Sequence, residues 1–300
     1  MKAVVLVGGQ GTRLRPLTST TPKQMLPVAG RPMIEWVVAH LSKHGVDEVI
    51  LSLGYQPDAF LSAYPDGRCA GVRIRYAVEP EPLDTAGAIA FTARQALATI
   101  SLTPVDDPSR YGVVAFDSDG RVTAFIEKPP QGTAPTNLIN AGTYVLEPPM
   151  LVGIGAGQRV SIERATFPKL VAQGSLYALA SAADWTDAGT VATYLGINLA
   201  LARRHGSWVD ATAGIDSSAR VVDSVVAAGA EVGPGALVER ALVMAGARIG
   251  AGATVRESII GAGAIVGDAA KIEAHSVVGP GMAVAAGTVA IGARFPGDPL

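Results

Sequence analysis

Apolar runs and their spacing divide the 300 residues into two regions with different periods. In the first region, residues 3–7 (Ala-Val-Val-Leu-Val) are an unbroken apolar run of strand length and read as a fully buried first strand. A turn rich in glycine follows at Gly8, Gly9 and Gly11. Pro32 stands at a first helical position, Met33, Trp36, Val37 and Leu41 recur at helical spacing, and Gly45 is placed to end that helix. Val46–Leu53 reads as a second strand, and Val72–Val78 alternates as a third. Strands separated by helices of this length predict βαβ units and a mostly parallel sheet. In such sheets ligands sit beyond the carboxyl ends of the strands, which puts Gly8 to Arg13 at a site.

Further along, Ala86–Leu97 reads as a helix and Thr99–Thr103 as a strand, yet no Gly, Pro, Asn or Asp separates them at residues 96–99. Pro104–Pro108 is a loop, Tyr111–Val114 opens a strand, and Asp117-Ser118-Asp119-Gly120 turns it into the return strand Val122–Ile126. Capped helices are expected over Ser161–Val171 and Thr190–Arg204.

From Val209 the period changes. Apolar residues fall at Val209, Ile215, Val221, then Val226, Val232, Val238, then Val243, Ile249, Val255, then Ile260, Val266, Ile272, beginning again at Val277. The steps of six, six and five mark a hexapeptide repeat, the pattern of a β-helix with triangular turns. One turn cannot bury its own core, and about four are present, enough for a small domain.

Composition narrows the function classes. Hydrophobic residues make up 49% and charged residues 17%, so a sizeable core is available and disorder is not expected. The formal net charge of −2 gives no nucleic-acid surface. Cys69 is the single cysteine, which excludes a disulfide framework and a cysteine-based metal site and suits a reducing cytoplasm. The apolar run after Lys2 is too short for a signal peptide or a membrane span.

The glycine turn carries the candidate chemistry. Successive backbone N–H groups at such a turn form a concavity for an anion. Before Glu35 the chain holds Lys2, Arg13, Arg15, Lys23 and Arg31 and no acid. An ordinary βα turn with solvated basic residues would explain a glycine turn alone equally well. The longer string does more. Gly8-Gly9-Gln10-Gly11-Thr12-Arg13-Leu14-Arg15-Pro16-Leu17-Thr18, followed by Pro22-Lys23 and Leu26-Pro27, resembles the signature of the sugar-1-phosphate nucleotidyltransferases.

That resemblance implies a Rossmann-like α/β nucleotidyltransferase domain over residues 1–205 with a mostly parallel mixed sheet. A left-handed β-helix over 206–300 follows and supports homo-oligomer contacts. It implies transfer of a nucleotidyl group from an NTP to a sugar 1-phosphate, releasing pyrophosphate. Arg13 and Lys23 would be the catalytic cations. Leu6, Gly8, Gly9, Gly11, Thr12 and Gly87 would hold the nucleotide, Gly87 within Glu79–Gly87, a segment similar to the family's nucleobase loop. In that segment Asp84 replaces a family glycine and reads as a helix cap. Glu127-Lys128-Pro129 and Asn140-Ala141-Gly142-Thr143-Tyr144 resemble sugar-phosphate motifs, so Gly112, Glu127, Lys128 and Asn140 would line that pocket. Alone, Lys128 would read as a solvated loop lysine. Trp185-Thr186-Asp187-Ala188-Gly189-Thr190 resembles a motif whose aspartate binds Mg2+; the plain alternative for Asp187 is a near-cap of the following helix. The whole pattern is most like the mannose-1-phosphate guanylyltransferases, with GTP favoured, and uridylyl- or thymidylyltransferases of glucose 1-phosphate share most of it.

One family feature is absent. Members carry a further strand ending in Asn-Gly-Asp, then a helix, before a strand like Thr99–Thr103, and Asn-Gly-Asp occurs nowhere in this sequence. A βα unit on the order of thirty residues is therefore missing near residues 97–99, and with it a second metal-binding carboxylate. Two accounts compete: a truly shortened chain with an incomplete site, or a polypeptide whose full length is longer. Removing an interior strand leaves unfilled space and unpaired backbone, which favours the second. A shortened chain would suit a regulatory subunit that senses nucleotide sugar. The repeat also permits an acyltransferase, with His275 its only histidine, although no acyl-carrier feature accompanies it.

Overall fold

A computed structural model describes residues 2–53, 57–78, 98–147, 150, 154–155, 158–181, 185–203 and 207–297. The elements ahead of the repeat are β1 (Lys2–Leu6), β2 (Pro27–Val28), β3 (Arg31–Pro32), α1 (Met33–Lys43), β4 (Glu48–Leu53), α2 (Pro57–Ala63), β5 (Arg68–Cys69) and β6 (Val72–Val78). They continue with β7 (Thr99–Pro104), β8 (Gly112–Phe116), β9 (Val122–Glu127), β10 (Leu138–Val145), α3 (Phe167–Ala172), β11 (Tyr177–Ala180) and α4 (Val191–Arg203). Two compact units emerge, one from residues 1–8, 41–57 and 66–185, the other from 9–40, 58–65 and 186–300. Residues Glu79–Gly87, with Gly87 and Asp84, and the helix expected over Ala86–Leu97 lie outside the described residues.

The first unit contains two sheets, ordered β1-β4-β6-β5 and β11-β7-β10-β8-β9. β1, β4 and β6 run parallel, as the βαβ pattern predicts. In the second sheet β10 runs antiparallel to β7 and β8, and β8–β9 is the expected hairpin around Asp117–Gly120. Its core is Ile100, Leu102, Val114, Val122, Phe167 and Leu170. The helix expected from Ser161 forms as a π-type turn over Ile162–Thr166 that continues into α3, and the Ser161 hydroxyl caps it by accepting from the Arg164 N–H.

The structure corrects the first strand. β4 is buried along almost its whole length, but in β1 Ala3 to Leu6 are only half-buried. β1 pairs with β4 on one edge, and no strand among the described residues pairs with the other. Among the described residues, a sequence apolar enough for the sheet interior thus occupies an edge, with one side unpaired. The face of α1 is also corrected. Ile34 and Val38 are buried, while Trp36 and Val37 are 38% and 44% exposed. Trp36 is held from the side instead, with its indole N–H on the Val28 carbonyl and the Arg31 guanidinium 4.9 Å from its ring centre.

The second unit is built on the left-handed β-helix. Its strands form three all-parallel sheets of six, five and five strands. Val226, Val232 and Val238 point inward, and each later coil repeats the trio, down to Val278, Val284 and Ala290. Small residues at the corners, Ala230, Ala236, Ala247, Ala253 and Ala264, are buried completely or nearly so. The last coil corrects the sequence phase. Val278, not Val277, pairs with the inward Ile260. The corner between Glu273 and Ser276 holds Ala274 and His275, both left-handed, where the preceding corners hold a single left-handed residue: Asp223, Arg240 or Glu257. One added residue at a corner lengthens the coil without disturbing the stack.

One of the three faces is apolar on both sides. Its strands carry the doublets Val225-Val226, Leu242-Val243, Ile259-Ile260 and Val277-Val278, and all of these residues are buried. The second residue of each pair points into the coil, whereas Val225, Leu242, Ile259 and Val277 point outward. There they pack with Val191, Tyr194, Leu195 and Leu199 of α4 and with Leu14, Leu17, Leu26 and Val28.

Candidate active site

In the second unit three segments bring charged side chains together. Gly11 adopts a left-handed conformation, φ +61°, and a Cβ there would stand 3.0 Å from the Thr18 methyl. The buried Thr18 hydroxyl donates to the Gly11 carbonyl at 2.8 Å, tying the ends of the loop. Between them a 3-10 turn, Thr12–Leu14, buries Leu14 and leaves Thr12 and Arg13 exposed. Gly9 is exposed, and a Cβ there would meet nothing within 4 Å, so the loop is open on that side. Lys23 begins a second 3-10 turn, Lys23–Met25, after Pro22.

Asp187 approaches from the start of α4. That helix is capped by Thr190 and Thr193, each side chain accepting from the other's backbone N–H at 3.2 and 3.0 Å. The cap is thus supplied without Asp187, whose carboxylate stands 3.6 Å from the Lys23 ammonium. A Cβ at Gly189 would fall 2.6 and 2.7 Å from the Asp187 oxygens and 2.9 Å from an Arg13 guanidinium nitrogen. Both groups therefore crowd the same Cα, and only glycine leaves them room. Two cations and one carboxylate result, a cluster with a net positive charge.

The first unit holds the other expected residues. Gly112 pairs with Glu127, and the Ile139–Val113 pair puts Asn140 in the same row on the other side of Gly112. A Cβ at Gly112 would lie 2.7 Å from the Phe125 ring and 3.0 Å from the Glu127 carboxylate, so only glycine lets these two side chains close over the strand between Asn140 and Glu127. Lys128 is left-handed, its N–H donates to the Tyr111 carbonyl at 2.9 Å, and its ammonium lies 3.9 Å from Glu127. Asn140 donates to the Tyr144 hydroxyl at 2.7 Å and accepts from the Gly142 N–H at 2.8 Å, across a bulge in β10. Burial pushes the Tyr144 hydroxyl well above its ordinary pKa, so it stays neutral. The Trp185 indole donates to the Ala141 carbonyl at 3.0 Å and meets Tyr111 edge-on.

Thr18, Gly189, Tyr111, Tyr144 and Trp185 were not among the expected site residues. All but Tyr111 lie inside motifs already recognisable in the sequence, and Tyr111 immediately precedes Gly112. Leu6 ends β1 and packs on the core of the second sheet. Gly8 continues from β1 after Val7, whose N–H donates to the Ser52 carbonyl.

The donor set fits a divalent cation completed by substrate. No group of three or more His, Cys, Asp or Glu that could hold a metal occurs among the described residues. A small hard cation takes one or two carboxylates and fills the rest of its shell with phosphates and water. Asp187, partly exposed to solvent beside the side chains of Lys23 and Arg13, meets that requirement.

Comparison with known proteins gives a consistent result. The profile of the nucleotidyl transferase family matches residues 2–97 and 90–204, and that of the GMPPB C-terminal domain matches 205–295. A mannose-1-phosphate guanylyltransferase of Mycobacterium tuberculosis is 38% identical over 220 residues, 63% of this chain and 61% of the relative. Mannose-1-phosphate guanylyltransferase 1 of Arabidopsis thaliana is 38% identical over 237 residues, 67% of this chain and 65% of the relative. The chain thus spans less than two thirds of these relatives' length. The crystal structure of HddC from Yersinia pseudotuberculosis, solved also in complex with GMP-PN, superposes with a TM-score of 0.57 at 28% identity, over 67% of this chain and 99% of HddC. Members of the family typically use a divalent metal. The convergence of Arg13 from the glycine turn, Lys23 from the turn after Pro22 and the Asp187 carboxylate, together with profile matches over residues 2–97 and 90–204, places this chain in the nucleotidyl transferase family.

Proposed function

We propose that this protein transfers a guanylyl group from GTP to mannose 1-phosphate, giving GDP-mannose and pyrophosphate. The observation that carries the reading is the convergence of Arg13, Lys23 and Asp187 around Gly189. A sugar-phosphate oxygen attacks the α-phosphorus in line. The new P–O bond forms as the bond to the β-phosphate breaks, and its electron pair leaves with pyrophosphate. Two polyanions must meet, so the main task is neutralising charge. Arg13 would balance charge on the departing pyrophosphate and Lys23 charge at the α-phosphate. Backbone N–H groups from Gly8 to Gly11, with Leu6, Thr12 and Gly87, would hold the nucleotide. Lys128 would hold the sugar phosphate, and Glu127 and Asn140, in register on either side of Gly112, the sugar hydroxyls. Asp187 would hold Mg2+, which adds positive charge at the phosphates when bound. The relatives' names support the choice of GTP and mannose 1-phosphate. Cytoplasmic work and homo-oligomer contacts through the β-helix belong to the same proposal; no helix among the described residues is long and apolar enough to cross a membrane.

We assign residues 1–205 to the nucleotidyltransferase domain and 206–300 to the β-helix, and infer that the first lacks a βα unit. The 220 positions aligned to the Mycobacterium relative take up 63% of 300 residues, about 189, so about 31 positions of the relative have no counterpart here. The half-exposed edge of β1 supports a missing neighbour. The same observation favours a second reading, a subunit that binds nucleotide sugar without turning it over. Pyrophosphate release from GTP, UTP and dTTP against a panel of sugar 1-phosphates tests both. Release with GTP and mannose 1-phosphate supports the enzyme. Silence across the panel with GDP-mannose still bound supports the binding subunit, and an intact-mass measurement of the natural protein shows whether the unit is present.

A further inference from the structure

We propose that the outward apolar face of the β-helix is the foundation of the phosphate-gripping loop, with Leu242, Ile259 and Val277 acting as positioning residues for Arg13. The proposal rests on the reading of Arg13 as a phosphate ligand, and it gives the repeat domain a part in the site itself.

The loop from Gly11 to Thr18 has little regular structure to hold it. It consists of one 3-10 turn, two further turn hydrogen bonds and the tie from Thr18 to Gly11. Arg13 lies on its exposed side. On the opposite side Leu14 and Leu17 are completely buried, and the cluster that buries them includes Val225, Leu242, Met244, Ile259 and Val277 of the β-helix. Pro16 rests on the corner of the last full coil, where a Cβ at Gly279 would stand 3.0 and 3.1 Å from its ring carbons. The same cluster takes in Ala188 and the apolar face of α4, the helix that carries Asp187 at its start. Arg13 and Asp187 are therefore mounted on a common base more than two hundred residues away in sequence from the loop. A β-helix that served only for oligomer contacts would need polar residues outward on all three faces, apart from the contact patch. On the face that supports the loop the chain instead repeats an apolar doublet in four successive coils.

The experiment uses the full-length chain and two readouts: the rate of tryptic cleavage at the Arg13–Leu14 bond, and the Kd for GTP. Cleavage there requires Leu14 to leave its seat. Leu242→Ala and the milder Val277→Ala remove part of the seat without touching any candidate ligand. Val255→Ala removes the same kind of group from inside the coil and controls for general loss of stability, and Ile291→Ala controls for an exposed position. The expected result is cleavage accelerated about tenfold and a GTP Kd raised about tenfold in the first two, measured below their melting temperatures, with both unchanged in the controls. Equal cleavage rates in Leu242→Ala, Val277→Ala and Val255→Ala would overturn the proposal. Selective acceleration of cleavage in a protein that does not bind GTP would uphold the seat and overturn the phosphate reading of Arg13.

Discussion

The Asp187 carboxylate and the Lys23 ammonium stand 3.6 Å apart, and each side chain keeps 26% of its surface in solvent. A pair this exposed contributes less than about 1 kcal/mol to stability. Its consequence is for charge: Asp187 partly offsets the cations that a polyphosphate would meet, until a divalent ion covers it.

Asp187→Asn should therefore act in opposite directions with and without metal. In EDTA the variant should bind GTP about fivefold more tightly, since the carboxylate that offsets the Lys23 ammonium at 3.6 Å, worth about 1 kcal/mol in water, has been removed. With Mg2+ present, turnover should fall by at least a hundredfold. Calorimetric titration and a pyrophosphate assay check the two halves.

Arg13→Ala should lower turnover about a thousandfold, the loss of several kcal/mol of transition-state stabilisation. The thermal midpoint should hardly move, because Arg13 is exposed and the buried anchors Leu14 and Leu17 remain. Normal turnover in this variant would remove Arg13 from the mechanism.

Gly112→Ala places a methyl group against the Phe125 ring and the Glu127 carboxylate. Overpacking of this kind costs about 1–3 kcal/mol. The KM for the sugar phosphate should rise about tenfold, in keeping with a loss of that size, while the Kd for GTP stays the same. A change confined to GTP would move the pocket elsewhere.

The corners of the β-helix carry a pH dependence. Asp216 accepts from the Ser218 hydroxyl at 2.6 Å and the Ser218 N–H at 2.9 Å, and these bonds hold its carboxyl below the ordinary value of 3.8. Ser218 in turn accepts from Gly235 of the next coil at 2.9 Å. A carboxyl depressed by folding adds stability above its unfolded pKa, and that stability disappears as pH falls through the folded value. Asp216→Ala should melt below the parent at pH 7. The difference should shrink below 3.8 and close once Asp216 is protonated in the fold, which thermal melts across acid pH will show.

Legibility followed the range of the interactions. The hairpin at Asp117–Gly120, the cap at Ser161 and the start of α4 depend on neighbours a few residues away, and each could be read from local pattern; the parallel run of β4 and β6 followed from the alternation of strands and helices. Gly112, Glu127 and Asn140, singled out by their motifs, lie on adjacent strands of one sheet, so their proximity follows from the strand order. The seat of Leu14 and Leu17 was not legible: the outward residues of the doublets at 225, 242, 259 and 277 are buried by segments far away in the chain. Nothing in a doublet says which distant segment will cover it.

The sequence by itself determined the two periods, the glycine-rich turn at Gly8 to Gly11 and the residue types that can grip phosphate, because each is a local matter of backbone freedom, spacing or charge. Only the tertiary structure decided that β1 lies half-open at an edge, that Val278 and not Val277 faces the coil interior, and that Asp187 turns to Lys23 instead of capping α4. Those outcomes depend on what packs against each residue from elsewhere in the chain, and burial by a distant partner leaves no mark in local spacing.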